Sequence, residues 1–426
     1  MRQKIFYVVL DGLGDLPLEE LGGKTPLEAA VTPCLDRLAR EGSSGLVYPV
    51  EKGVAPESDL AVISLLGYDA KRYYTGRGPL ESYAAGLEVN PGDLALRVNF
   101  ATVDSDGKKI IDRRVGRDLN TKEARALADE VNKNVILSQG TFELKSTVGH
   151  RGVLVIRGIR SRLSGWITNT DPAYEKEGVF SLALEKFSPY VLSSQPYKGR
   201  EEDECALAAA RLLTEWTEKA HKVLQWSSVN KTRRDEGKLA ANIILSRDAG
   251  DRLPEFPSIE KNYNLKFASF VEMPVERGIA LLTGMDIVDV PERTGDLEKD
   301  YSAWARIALE KVAEYDGLYI HIKGPDEPAH DGDSSLKKKI IEAIDKFFFA
   351  NLLNGVDNKN SLICVTADHS TPCAMKAHSA DPVPLLIFGG SLSPDTTQVF
   401  SERAARSGSL GEMNGCQILP TLIQTA

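Results

Sequence analysis

The sequence predicts an α/β protein in which a mostly parallel sheet, covered by helices on both faces, is interrupted by an inserted α+β domain. Three observations carry this expectation. Strand-length apolar runs without polar alternation occur toward both ends of the chain, as strands buried on both faces require. Amphipathic stretches of helix length follow several of them. Between the two ends lies a middle of different texture, with a hairpin signal and paired strand-like runs.

The elements follow in chain order. "IFYVVL" (5–10) is a first buried strand, too short for a signal sequence or a membrane span. "TPCLDRLARE" (32–41) reads as a helix. In the middle, "LRVNFATVDSDGKKIIDRRVG" (96–116) places two strands around Asp106-Gly107, a hairpin turn pair. "NTKEARALADEVNK" (120–133) is a helix capped by Asn120 with Glu123 at its third position. "FELKSTV" and "RGVLVIRG" (142–158) are further strands, and 203–225 is a long helix. Toward the end, "LYIHI" (318–322) is a strand. It precedes the helix "SLKKKIIEAIDKFFFANLLNG" (335–355), with Ser as cap and Gly at its end. "SLICVTA" (361–367) and "PLLIFGG" (384–390) are strands, and a last helix lies near 416–424. Joints bearing Gly and Pro divide the chain into 1–75 with 262–426, the core, and 76–261, the insertion.

The totals bound the function. A chain of 426 residues is enough for two or three domains. The net charge of −9 argues against a nucleic-acid binder, which carries a basic face. Five cysteines without a CxxC pair offer neither a disulfide framework nor a thiolate metal site, and point to a reducing, cytoplasmic setting. No membrane partner is expected.

Ligand-type side chains gather at the strand ends. "FYVVL" ends in Asp11; "YIHI" leads through Lys323 to Asp326 and His330; "LICVTA" ends in Asp368 and His369; "PLLIF" is preceded by His378. Ligands of open α/β sheets bind beyond the carboxyl ends of strands. Asp326 and His330, four apart, share one face of a helical turn, and Pro325 and Pro328 restrict their segment. A mixed N/O donor set suits manganese or zinc better than magnesium or calcium. Taken alone, "KGPDEPAHDGD" is equally a polar loop with a helix cap. His321, inside a strand, reads as a core histidine, and His221 as structural. In "APESDLAVISLLGYD", Ser58 opens an apolar helix. It is either an N-cap or a nucleophile at a positively polarised helix end, and the residues alone fit both.

At this point the chain resembles a known family. "VLDGLGD" (9–15), "PESDLAVISLLGYD" (56–69), "YYTGRGPLES" (73–82), "GPDEPAHDGD" (324–333) and "TADHSTPCAMKAHSADPVPLLI" (366–387) are similar to the archaeal-type cofactor-independent phosphoglycerate mutases. The resemblance implies an alkaline-phosphatase-like core with an inserted substrate-clamping domain. It also implies interconversion of 2-phosphoglycerate and 3-phosphoglycerate, a step of glycolysis and gluconeogenesis, without a bisphosphoglycerate cofactor. It implies two divalent ions, manganese first, with zinc, cobalt and magnesium as alternatives. Asp326, His330 and His378 match the ligands of one ion, and Asp11, Ser58, Asp368 and His369 those of the other. Ser58 matches the phosphorylated serine. Relatives often show "SDT" where this chain has "SDL". Arg277 in "PVERGIA" stands where a basic residue, often Lys, assists the transferred phosphate.

The inserted domain is expected to supply the anion sites through Arg113, Arg114, Arg117, Arg151 and Arg247, since the guanidinium fork suits carboxylates and phosphates. His150 is the expected proton carrier for the glycerate hydroxyls, with Asp112 as its partner. A phosphatase or another phosphomutase on the same core is the nearest rival; a non-catalytic metal-binding protein is the rival of a different class.

Overall fold

The structure, a computed structural model, describes residues 3–426. The chain forms two compact units, Met1–Tyr73 with Glu255–Ala426, and Tyr74–Pro254.

The first unit is built on an eight-stranded sheet. Its strands are β1 (Lys4–Leu10), β2 (Ser43–Tyr48), β3 (Phe267–Phe270), β4 (Asp286–Ile287), β5 (Gly317–Ile322), β6 (Ser361–Thr366), β7 (Val383–Phe388) and β8 (Gly411–Asn414), in the order β4-β3-β5-β1-β6-β7-β2-β8. Neighbours from β4 through β6 are parallel. β7 is antiparallel to both β6 and β2, so the sheet is mostly parallel. The apolar run of β7 gave no sign of this reversal, because a strand buried on both faces looks the same in either direction. β5, β6 and β7 are buried along their whole length. Val9 of β1 lies opposite His321 of β5 and Thr366 of β6. The three central strands therefore end at one level, and the residues just beyond them meet.

Helices α1 (Ser58–Leu65), α2 (Pro274–Leu282), α3 (Asp326–Asp331) and α4 (Ser334–Ala343) belong to this unit. The expected cap of α4 is corrected: Asp333, not a serine, accepts the hydrogen bond from Leu336 N. Its continuation is not uniform, since Ile344–Phe349 winds as a π-helix before Ala350–Gly355 resumes.

The second unit has an antiparallel sheet centred on Leu94–Val103, flanked by Arg151–Gly158 and Ile243–Gly250. The hairpin around Asp106-Gly107 forms, with Val103 opposite Ile110. Helices Thr121–Asn134 and Glu204–Gln225 bury Leu127, Val131, Leu213 and Trp216 in one core with Leu96, Val98 and Phe100 of the central strand. Asn120 and Glu123 make the capping box that their spacing predicts.

Candidate metal centre

Beyond the carboxyl ends of β5, β1 and β6, Asp11, Lys323 and the Asp368-His369 pair converge. Gly12 lets them do so. It has φ +63°, and a Cβ there would lie 2.6 Å from Asp326 Oδ1; only glycine accepts both conditions cheaply. Its N–H donates to Asp368 Oδ1 over 3.0 Å.

Three imidazoles are held in one tautomer. His330 Nδ1 lies 3.0 Å from the Lys376 carbonyl, and His378 Nδ1 lies 2.8 Å from the Pro56 carbonyl. A carbonyl only accepts, so each Nδ1 carries the proton and each Nε2 a lone pair. Thr371 does the same for His369. Its hydroxyl donates to Asp326 Oδ1 (2.8 Å), leaving its oxygen to accept from His369 Nδ1 (2.9 Å). His330 Nε2 and His378 Nε2 are then 3.2 Å apart with lone pairs facing, an arrangement that calls for a proton or a cation between them. Asp326 Oδ1 completes this set at 3.4 Å from His330 Nε2 and 3.7 Å from His378 Nε2. In sequence terms, Asp326 and His330 do share one face of a helical turn, α3.

The second set is more deeply buried. His369 Nε2 lies 3.2 Å from Ser58 Oγ, 3.3 Å from Asp11 Oδ1 and 3.2 Å from Asp368 Oδ2. Asp11 Oδ1 and Asp368 Oδ2 are buried without a hydrogen-bond partner, a costly state for carboxylate oxygens. Separations of roughly 3–3.5 Å are those of neighbouring ligands bonded to one ion at about 2.0–2.2 Å. Ser58 does not cap α1. It is the first helical residue, after Glu57 at the N-cap position, and its hydroxyl faces His369.

The surrounding charge fits a dication. Lys323 Nζ lies 2.8 Å from Asp11 Oδ2 and 2.6 Å from Glu276 Oε1, so one ammonium is shared by two carboxylates, with that of Asp368 as a third nearby. Burial opposes ionisation of Asp11, yet Lys323 with the imidazoles of His321 and His369 holds its carboxyl well below the usual range. Burial likewise opposes the charged form of His321, but Glu276, Asp11 and Asp368 push the ring up to about 9. The cluster draws in positive charge.

Sequence reasoning missed Lys323, Glu276 and Thr371 here, and set His321 aside. The signal was present in "YIHIK": Tyr319, His321 and Lys323 alternate with isoleucines and so share one face of the strand. The ammonium beside Asp11 is that of Lys323; Arg277, expected to assist the transferred phosphate, lies on α2. Its guanidinium, about half exposed, lies 3.6 Å from Asp289.

In the second unit, the expected anion-binding residues separate into two kinds. Arg113 makes a two-pronged pair with Asp171 (2.9 and 2.6 Å), which occupies the fork that a ligand carboxylate would use. Arg247 is buried, 3.6 Å from Asp171 and 3.5 Å from Asp248, and stacks over Tyr174. Asp112 shapes a turn by accepting from the N–H groups of Arg114 and Gly116. Arg117 and Arg151 are exposed and Arg114 half-buried. His150 is half-buried, and burial followed by Arg151, Arg114, Arg247 and Arg117 pushes its imidazole down to about 4.

Comparisons place this chain among known proteins. Residues 39–230 match the family model of 2,3-bisphosphoglycerate-independent phosphoglycerate mutase. A 2,3-bisphosphoglycerate-independent phosphoglycerate mutase of Aeropyrum pernix is 47% identical over 423 residues, 98% of each chain. One from Methanopyrus kandleri is 39% identical, over 99% of this chain and 96% of its own. Among solved structures, a Pyrococcus horikoshii protein superposes with TM-score 0.80 at 31% identity, covering 100% of this chain and 98% of that one. The cofactor-independent phosphoglycerate mutase of Thermoplasma acidophilum gives TM-score 0.67 at 32% identity, with full coverage of both chains.

Proposed function

This chain belongs to the 2,3-bisphosphoglycerate-independent phosphoglycerate mutases, and from that membership we propose that it interconverts 2-phosphoglycerate and 3-phosphoglycerate through a phosphorylated Ser58 at a two-metal site. The observation that supports the reading is the position of Ser58 Oγ, 3.2 Å from His369 Nε2, which itself lies 3.3 and 3.2 Å from the partnerless Asp11 Oδ1 and Asp368 Oδ2.

Asp326, His330 and His378 would hold one dication, and Asp11, Asp368, His369 and Ser58 the other, with manganese the first choice for such a mixed set. When bound, the ions supply charge neutralisation at the phosphoryl oxygens and acidify the serine hydroxyl. The chain does the rest. Ser58 Oγ forms the bond to phosphorus as the bond to the glycerate oxygen breaks. The serine proton leaves and the departing glycerate oxygen gains one. The other glycerate hydroxyl then attacks the phosphoserine, loses its proton, and restores Ser58. The N-terminal end of α1 favours the anionic phosphoryl group.

Arg114, Arg117 and Arg151 are the proposed holders of the glycerate carboxylate, while Arg113 and Arg247 keep their internal pairs. With its imidazole depressed to about 4, His150 is neutral near pH 7 and able to accept a proton from a glycerate hydroxyl.

Phosphorus NMR tests the reading. Metal-stripped protein given 3-phosphoglycerate is expected to produce 2-phosphoglycerate only after Mn²⁺ is added, and Ser58→Ala to abolish the conversion. Accumulation of inorganic phosphate instead would make the enzyme a phosphatase; no conversion with any divalent ion would overturn the proposal.

A further inference from the structure

We infer that His321 is a ligand of the inner ion, alongside Asp11 and Asp368, and not a core histidine. This inference rests on the metal site proposed above and adds to it a side chain outside the matched ligand pattern.

His321 has no exposed surface, and its Nε2 has no hydrogen-bond partner. That atom lies 3.5 Å from Asp368 Oδ2 and 4.0 Å from Asp11 Oδ1, the same two oxygens that also lack partners. Three orphaned polar atoms facing one another in a dry interior are unfavourable unless something positive joins them. On the ring's other side, Nδ1 faces the Tyr319 hydroxyl at 3.3 Å and Glu276 Oε1 at 3.9 Å. Both can accept, so a ring proton on Nδ1 has a partner there, and a cation displacing any proton from Nε2 meets its lone pair. The same arrangement orients His330, His369 and His378. Backbone register supports it too: His321 sits opposite Val9, two residues before Asp11, at the level where the central strands end.

The rival arrangement is an imidazolium, protonated at Nε2, that bridges Asp11 and Asp368 as a charge partner. A metal ligand and an imidazolium differ in the protonation of one nitrogen, and this can be read directly.

Protein labelled with ¹⁵N at its six histidines would be titrated with Zn²⁺, a diamagnetic ion, and followed by long-range proton–nitrogen correlation. His321→Gln assigns the signal by its loss. Should that variant fail to fold, single replacements of the other five histidines assign it by elimination. In the loaded wild-type protein, Nε2 of His321 is expected to shift to the metal-bound range together with those of His330, His369 and His378. His321→Gln is expected to weaken binding of one of the two ions by at least about tenfold and leave the other unchanged. If the three expected ligands shift while His321 shows two protonated nitrogens, the inference falls and the metal site stands. If no imidazole responds, both fall.

Discussion

Lys323 Nζ lies 2.8 Å from Asp11 Oδ2, and the same ammonium reaches the buried Glu276 at 2.6 Å. Lys323 therefore engages one oxygen of Asp11 and leaves the other directed at His369. Replacing it with Met strips the counter-ion from two carboxylates at once. Breaking a buried pair costs on the order of 3 kcal/mol. Lys323→Met is expected to lower the urea midpoint of the metal-free protein accordingly, with Lys323→Arg recovering part of the loss. An unchanged midpoint would show that the ammonium is dispensable.

A second buried lysine ties the ligand-bearing loops together. Lys337 of α4 has no exposed surface and donates to the Gly14 carbonyl (2.9 Å), Asp15 Oδ2 (2.8 Å) and the Thr371 carbonyl (3.0 Å). It thus joins the loop after β1 to the loop after β6. Lys337→Met is expected to cost about 3 kcal/mol, measured by denaturant unfolding. Adding Asp15→Asn removes the stranded charge, so the double variant is expected to be more stable than the sum of the singles. Simple additivity would rule out the coupling.

Glu402 introduces a pH dependence. Burial pushes its carboxyl up to about 7, against hydrogen bonds from Thr25 and the Asp15 N–H. Unfolded, the group titrates near its ordinary value of about 4.5. Between these values the folded protein holds more protons, so this contribution is fully present below about pH 4.5 and lost as pH rises through about 7. The stability difference between wild type and Glu402→Gln is expected to change over that window and to be flat above it. Urea unfolding at a series of pH values measures it, and a constant difference would contradict the shift.

His150 behaves in the opposite sense. Its folded value of about 4 lies below the unfolded one of roughly 6.5. The unfolded chain binds more protons in between, so stability from this group is present above about pH 6.5 and lost as pH falls through about 4. Proton NMR of the ring should give a midpoint near 4, moving upward in Arg151→Gln. A midpoint near 6.5 would show that neither burial nor the arginines act on it.

Much of the fold was legible because its signals are local. β1, β5 and β6 appear as apolar runs within a residue or two of their observed bounds, and the Asn120 capping box is written in four residues. β3, β4 and β8 are only two to four residues long and are defined by their partners rather than by their own pattern. The candidate site divides in the same way. Ligand-type residues next to strand ends could be found from spacing. That Lys323 stands beside Asp11 could not, because it follows from the pairing of two strands more than 300 residues apart. Likewise Arg113 carries no sign in its own segment that Asp171, distant in sequence, fills its fork.

The strand order has a consequence for biosynthesis. β1 occupies residues 4–10, but both its neighbours, at 317–322 and 361–366, are made about 300 residues or more later. On a ribosome adding roughly 5–20 residues per second, β1 waits through that interval with both edges unpaired by these partners. Residues 74–254, a continuous segment with its own core, have what they need to fold during that interval. Asp11 is translated more than 300 residues before Asp368 and His369, so this cluster of side chains cannot assemble until those residues have been made.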